Sequence, residues 1–168
     1  MRTRKEIEAE IEKKRGELAK LEAELKQYEA SGIPERGERY FYADPTNKDF
    51  YSWEFWVDEH SDICRFKAGL IRQTEEEAAE LGKKMYYSQL FASMSDVTDE
   101  DWKDENKPKY FVMWNYQNNT LMYDYWRQYK SQGVAYFSSK DRCREAVESM
   151  ISDIGDENFK RYVLGISV

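Results

Sequence analysis

Six carboxylates crowd into one stretch of this chain. Asp96, Asp99, Glu100, Asp101, Asp104 and Glu105 lie within Ser93–Asn106, SMSDVTDEDWKDEN, against Lys103 alone, a local net charge of −5. Closely spaced carboxylates can hold a divalent cation or activate water. A calcium loop, however, needs alternating acids, a central glycine and a terminal bidentate glutamate, and this run lacks that pattern. A magnesium-dependent nuclease would also need a basic surface for its substrate, and the formal net charge of the chain is −7. His60, in DEHSD, is the sole histidine, and with two cysteines in the chain there is no zinc-finger ligand set. There is no GxSxG elbow, no GxxxxGK[ST] cradle and no GxGxxG turn. We therefore expect no enzyme, no cofactor and no metal.

What remains for the acidic run is either a solvated loop or a docking surface for a basic protein groove. Residues 1–31 hold eight basic and eight acidic residues, so the whole excess of negative charge lies in residues 32–168. An acidic domain repels phosphate backbones, and generic binding to DNA or RNA is disfavoured.

Mean hydropathy is −0.93, low enough to suggest disorder. Against that stand 13 Tyr, 8 Phe and 5 Trp, more aromatic surface than a disordered chain carries. The 168 residues suit one compact domain with an extension. Cys64 and Cys143 can form one disulfide at most and resemble no secreted disulfide framework. With no signal peptide and no apolar run of roughly 18 residues, the expected location is the cytoplasm, with no membrane contact.

The elements that must position these residues begin with an arm. Thr3 and Glu6 form a capping box. Ile7, Ile11, Leu18, Leu21, Leu25 and Tyr28 then recur at steps of four and three, with Lys14 as a polar member of the seam. The spacing predicts a coiled-coil arm over residues 1–31, its helix over 3–31 roughly 43 Å long at the usual rise, that pairs two copies of the chain or lies along its own domain. Gly32 and Pro34 mark its end.

The remainder, residues 32–168, reads as a duplication at an offset of 70. Tyr40-Phe41 matches Tyr110-Phe111, and Phe55-Trp56 matches Tyr125-Trp126, with Trp53 against Tyr123 and Glu54 against Asp124. Asn47-Lys48-Asp49 matches Gln117-Asn118-Asn119 as turns. Extended runs follow, Ile63–Gln73 and Gly133–Phe137. Each feeds a helix: 75–93, entered by Thr74 with Glu77, and 139–152, entered by Ser138 with Asp141. The expected fold class is α+β. It comprises the coiled-coil helix and two duplicated β-β-β-α units, about 38–93 and 108–153, forming antiparallel sheet with helices on one face. The tail from Ile154 is expected to give a short helix and a last strand, VLGISV.

Alternation assigns faces to the aromatic strand FYSWEFW. Tyr51, Trp53, Phe55 and Val57 form an apolar face expected against the helices. Phe50, Ser52, Glu54 and Trp56 form a mixed face expected to be partly open. Leu121, Tyr123 and Tyr125 match the first, and Met122, Asp124 and Trp126 the second. Trp56 and Trp126 are thus candidate contacts for a protein partner or for stacked bases.

The second half, KYFVMWNYQNNTL, YDYW, GVAYFSSKDRCREAVESMI and IGDENFKRYVLGI, with IPERGERYFYAD in the first, resembles small proteins carried by phages and prophages of gut bacteria. The resemblance spans roughly residues 33–168. Cys143 and Phe159 stand where that family often has Ala and Ile. Some small phage proteins of this general look inhibit bacterial immunity, including Cas9. The resemblance implies a non-enzymatic inhibitor bound to a host defence protein, such as a Cas9–guide RNA complex, in the bacterial cytoplasm. Asp96, Asp99, Glu100, Asp101, Asp104, Glu105, Trp56 and Trp126 are the residues available for that contact. The alternatives are a structural or scaffolding dimer module and a single-stranded nucleic-acid accessory protein.

Overall fold

The computed structural model describes residues 3–166; within that span the side chains of Glu8 and of residues 24–31 lie outside the described ones. It is α+β. The chain divides into two compact units, Met1–Tyr40 with Glu54–Gly69, and Phe41–Trp53 with Leu70–Val168.

The first unit contains the arm. Helix α1 spans Arg4–Ser31. At its start the Thr3 amide donates to the Glu6 carboxylate at 2.7 Å, and the Glu6 amide donates to Thr3 Oγ1 at 3.4 Å. Gly32 adopts φ +69°, a left-handed stop open to glycine at little steric cost. Every described side chain of α1 is exposed, the seam residues Ile7, Ile11, Leu18 and Leu21 included. The seam positions Leu25 and Tyr28 lie outside the described side chains.

A second helix of this unit, α2 (His60–Lys67), lies where the sequence suggested extended chain from Ile63. Its entry is a capping box built on Glu59 and Asp62, acids that satisfy free amide donors as Ser or Thr would. Trp56 corrects another expectation. It is 3% exposed, with its ring edge-on to Tyr40 and Phe66 at 5.8 and 6.4 Å and its indole N–H donated to Asp58 at 2.6 Å. Phe55 and Val57, expected against the helices, are exposed. The alternation holds, but the faces are exchanged. The mixed face looked open because of its polar members, and one of these, Glu54, is tied to Arg65 of α2.

The strands β1 (Arg39–Ala43), β2 (Tyr51–Phe55) and β3 (Ile71–Arg72) form an antiparallel sheet in the order β2-β1-β3. Phe41 pairs with Arg72 and Tyr42 with Ile71. In the second unit the β1–β2 turn is shaped by Asp44, whose side chain accepts from the Thr46 amide at 3.0 Å. Ser52 is held by Asp44 and Asn47, while Trp53 is exposed.

Helix α3 (Glu75–Ser93) begins as expected, with Thr74 accepting from the Glu77 amide at 3.2 Å. Gly82, midway along it, lies against the backbone of Phe50. A Cβ built there would stand 1.9 Å from the Phe50 carbonyl oxygen. Strands β4 (Lys109–Asn115) and β5 (Thr120–Trp126) form a regular hairpin, Tyr110 opposite Tyr125 and Val112 opposite Tyr123. The expected third strand, Gly133–Phe137, is reduced to one bridge from Phe137 to Tyr110. Helix α4 (Lys140–Ile154) starts one residue later than expected, with Ser139 rather than Ser138 accepting from the Arg142 amide. The tail forms α5 (Asp156–Asn158), continued by a π-helical turn over Phe159–Val163 where the short helix with Phe159 and Tyr162 was expected, and residues 164–166 of the expected strand VLGISV form no strand. Residues 167 and 168 lie outside the described span.

The core of the second unit gathers Phe91 of α3, Val112 of β4, Phe137, Phe159 and the inner face of α4, Cys143, Val147 and Met150. Phe91 stands 5.6 Å from Phe137 and 5.5 Å from Phe159 in tilted and edge-on geometries that aromatic quadrupoles favour.

Candidate functional site

The acidic segment connects α3 to β4 and is locally ordered. Asp101 accepts from the amide and hydroxyl of Thr98 at 2.9 and 2.8 Å and from Lys107 Nζ at 2.7 Å. These donors, Lys107 first, hold its carboxyl well below the usual range. Asp101 opens a 3-10 turn, Asp101–Lys103, that sets Trp102 edge-on to Tyr136 at 4.9 Å.

Lys109 joins this segment to the hairpin. It is 1% exposed, and its ammonium donates to the carbonyls of Asp104 at 2.7 Å and Arg127 at 3.2 Å. It also lies 5.1 Å from the centre of the Trp102 ring. A buried ammonium is tolerated only when acceptors and ring faces replace its water. Here that requirement fixes the end of β5 beside the acidic segment. Two further links run the same way, Lys130 to Asp99 at 2.8 Å and Gln128 to Glu105 at 3.3 Å.

Trp126 ends β5 at this junction. One face of its indole stacks on buried Phe111, ring centres 6.1 Å apart and nearly parallel, and Tyr129 meets it edge-on at 6.2 Å. Trp126 remains 45% exposed. With Tyr125, Tyr129 and Glu105 it borders an open depression of about 500 Å³. Rigid aromatic groups beside exposed carboxylates form a surface suited to a basic protein partner.

The predicted residues divide three ways. Glu105 and Trp126 border this depression, and Asp99 and Glu100 are exposed on the same acidic segment. Asp99 has a side chain 92% exposed, and Glu100 pairs with Lys103 at the surface. Asp96, Asp101 and Asp104 shape the backbone. Asp96 accepts from the amide and hydroxyl of Ser138 ahead of α4, and Asp104 accepts from the Asn106 amide at 3.0 Å. Trp56 lies in the other unit and is buried rather than on an open face. Sequence reading missed Tyr129 and Lys109. Tyr129 follows Trp126 by three residues, a spacing with meaning only once the hairpin end is known. Nothing in KPKY marks Lys109 as buried.

The site is less negative than the run suggests, because Lys107 and Lys130, outside it in sequence, join Lys103 against its carboxylates. Among the described residues no group of three His, Cys, Asp or Glu side chains could hold a metal. No helix of the described residues is long and apolar enough to cross a membrane. Compared with protein-family models, curated proteins and solved structures, the chain matches none.

Proposed function

We propose that this chain is a non-enzymatic, phage-encoded inhibitor that docks its acidic and aromatic surface on a basic groove of a bacterial defence protein, a Cas9-type nuclease. The observation that carries the reading is the Lys109 anchor, which ties the acidic segment at Asp104 to Arg127, the residue after Trp126, so that Glu105 and the indole of Trp126 border one depression. A nuclease channel that receives phosphates is lined with Arg and Lys. Asp99 and Glu100 stand in for phosphate charge, and Trp126 supplies apolar contact. Their present partners, Lys130 and Lys103, form exposed, screened surface pairs of little worth, so exchange for a partner's arginines costs little.

Two finer features belong to the same reading. The hairpins β1–β2 and β4–β5 are two copies of one plan, leading to the Thr-capped α3, after α2 and β3, and to the Ser-capped α4. Both turns open on a residue whose side chain accepts the amide two positions on, Asp44 from Thr46 and Asn115 from Gln117. The arm α1 pairs with a second helix through its exposed seam. That seam also favours a second reading, a scaffolding module that uses the arm to join partners.

The test is titration of the protein into a Cas9–guide cleavage reaction. Cleavage is expected to fall with added protein. The pair D99K and E100K, with W126A separately, should each weaken inhibition at least about tenfold. Unchanged cleavage across several Cas9 types overturns the nuclease assignment and leaves the scaffold. A gel shift on single strands that weakens steeply with salt would instead support the nucleic-acid accessory reading.

A further inference from the structure

The flanks of the arm's seam say what kind of helix it receives. The seam places Ile7, Lys14 and Leu21 at d positions and Ile11 and Leu18 at a positions. The g positions beside it are then Glu10, Glu17 and Glu24. The e positions are Glu8, Arg15, Glu22 and Glu29. Six of these seven flanking positions are glutamate. Lys5, Lys13, Lys20 and Lys26 fall at outer positions, so an arm with no net charge presents acid along both edges of its seam.

Self-pairing meets that acid twice. In a parallel pair each g position faces the e position five residues on. Glu10 then meets Arg15, but Glu17 meets Glu22 and Glu24 meets Glu29, and Lys14 faces its own copy. In an antiparallel pair g faces g and e faces e: glutamate meets glutamate at every g position, and Arg15 alone relieves the e side. Lys13 lies 3.9 Å from Glu17, and Arg15 lies 3.8 Å from Glu12, both pairs largely exposed and therefore weak. The apolar seam nevertheless stands open, since Ile7, Ile11, Leu18 and Leu21 are all exposed.

We infer that α1 is a heterotypic docking helix whose partner is an amphipathic helix of another protein, with Lys or Arg along both edges of its seam and an acidic residue opposite Lys14. This rests on the reading of α1 as a coiled-coil arm. Edge charges decide partner choice in coiled coils.

The full-length chain is tested by sedimentation at neutral pH and low salt, alone and with two synthetic helices of the arm's length. Both carry Ile and Leu in the seam and Glu opposite Lys14. One has Lys at every e and g position, the other Glu. The chain alone is expected to sediment as a monomer. It should bind the Lys-edged helix, at least about tenfold more weakly at high salt, and ignore the Glu-edged one. A chain dimer at low salt that L18D/L21D dissociates, or equal binding of both helices, overturns the heterotypic inference while leaving the coiled-coil arm. Binding of neither helix, with L18D/L21D changing nothing, removes the arm reading itself.

Discussion

Asp62 is the most constrained acid of the first unit. It is 1% exposed and accepts from the Tyr40 hydroxyl at 2.7 Å and from the Val57 and Glu59 amides at 3.0 and 3.2 Å. Arg65 stands 3.8 Å away. Burial alone would push its pKa up, but the Val57, Tyr40 and Glu59 donors and the Arg65 charge outweigh it, and the net shift is downward. Removing the carboxylate strands these donors, so Asp62→Ala should cost about 2–4 kcal/mol in urea unfolding. The stability Asp62 provides is complete above the unfolded carboxylate pKa of about 3.9 and is lost as pH falls through the lower folded value. At the other end of the scale burial, followed by the bond to Asp62, raises Tyr40 to about 12. Burial and Glu80 raise Tyr162 likewise to about 12. A raised phenol favours the neutral folded state. Its contribution is intact below about pH 10 and disappears as pH climbs to the folded value. Alkaline unfolding monitored with phenolate absorbance should show stability falling in that window, and flat stability across it would contradict the burial of these hydroxyls.

Helix α3 carries the sharpest steric demand among the elements. Phe50 takes φ +65°, an unusual angle for a bulky side chain, and its carbonyl occupies the space a side chain at position 82 would need. Alanine is normally the better helix former by roughly 1 kcal/mol. Here the clash wins, and Gly82→Ala should destabilise by about 1–3 kcal/mol net, read as a lowered melting temperature. A stabilised variant would mean that α3 and the Phe50 turn do not touch. Much of this scale was legible in the chain. The entries at Thr3 and Thr74 and the β4–β5 hairpin follow from signals within a few residues. Helix α2 was not legible, because eight residues give barely two turns of periodicity and its capping box uses Glu59 in place of Ser or Thr. The inward turn of Trp56 was hidden for a different reason. Strand alternation tells two faces apart without saying which one is inside, and the polarity of Glu54 and Ser52 is answered by residues distant in sequence.

For the whole molecule, what could be read from the chain was its class and its acidic balance. The site was only half legible. Glu105 and Trp126 border one depression, while the pin that ties their segments together, Lys109, is a lysine in a buried place. The core offers one more handle. Cys143 is fully buried among Phe137, Val147 and Met150, and burial lifts its thiol to about 12, whereas Cys64 is exposed. The thiolate is the reactive form, so the native protein should take up one equivalent of an alkylating reagent at once and the second only when α4 lifts away from the sheet. The slow phase is then a clock for opening of the second unit, with no label to be engineered. Val147→Ala should quicken it in proportion to the stability lost, while two thiols reacting at one rate would show that the helix is not closed over its core.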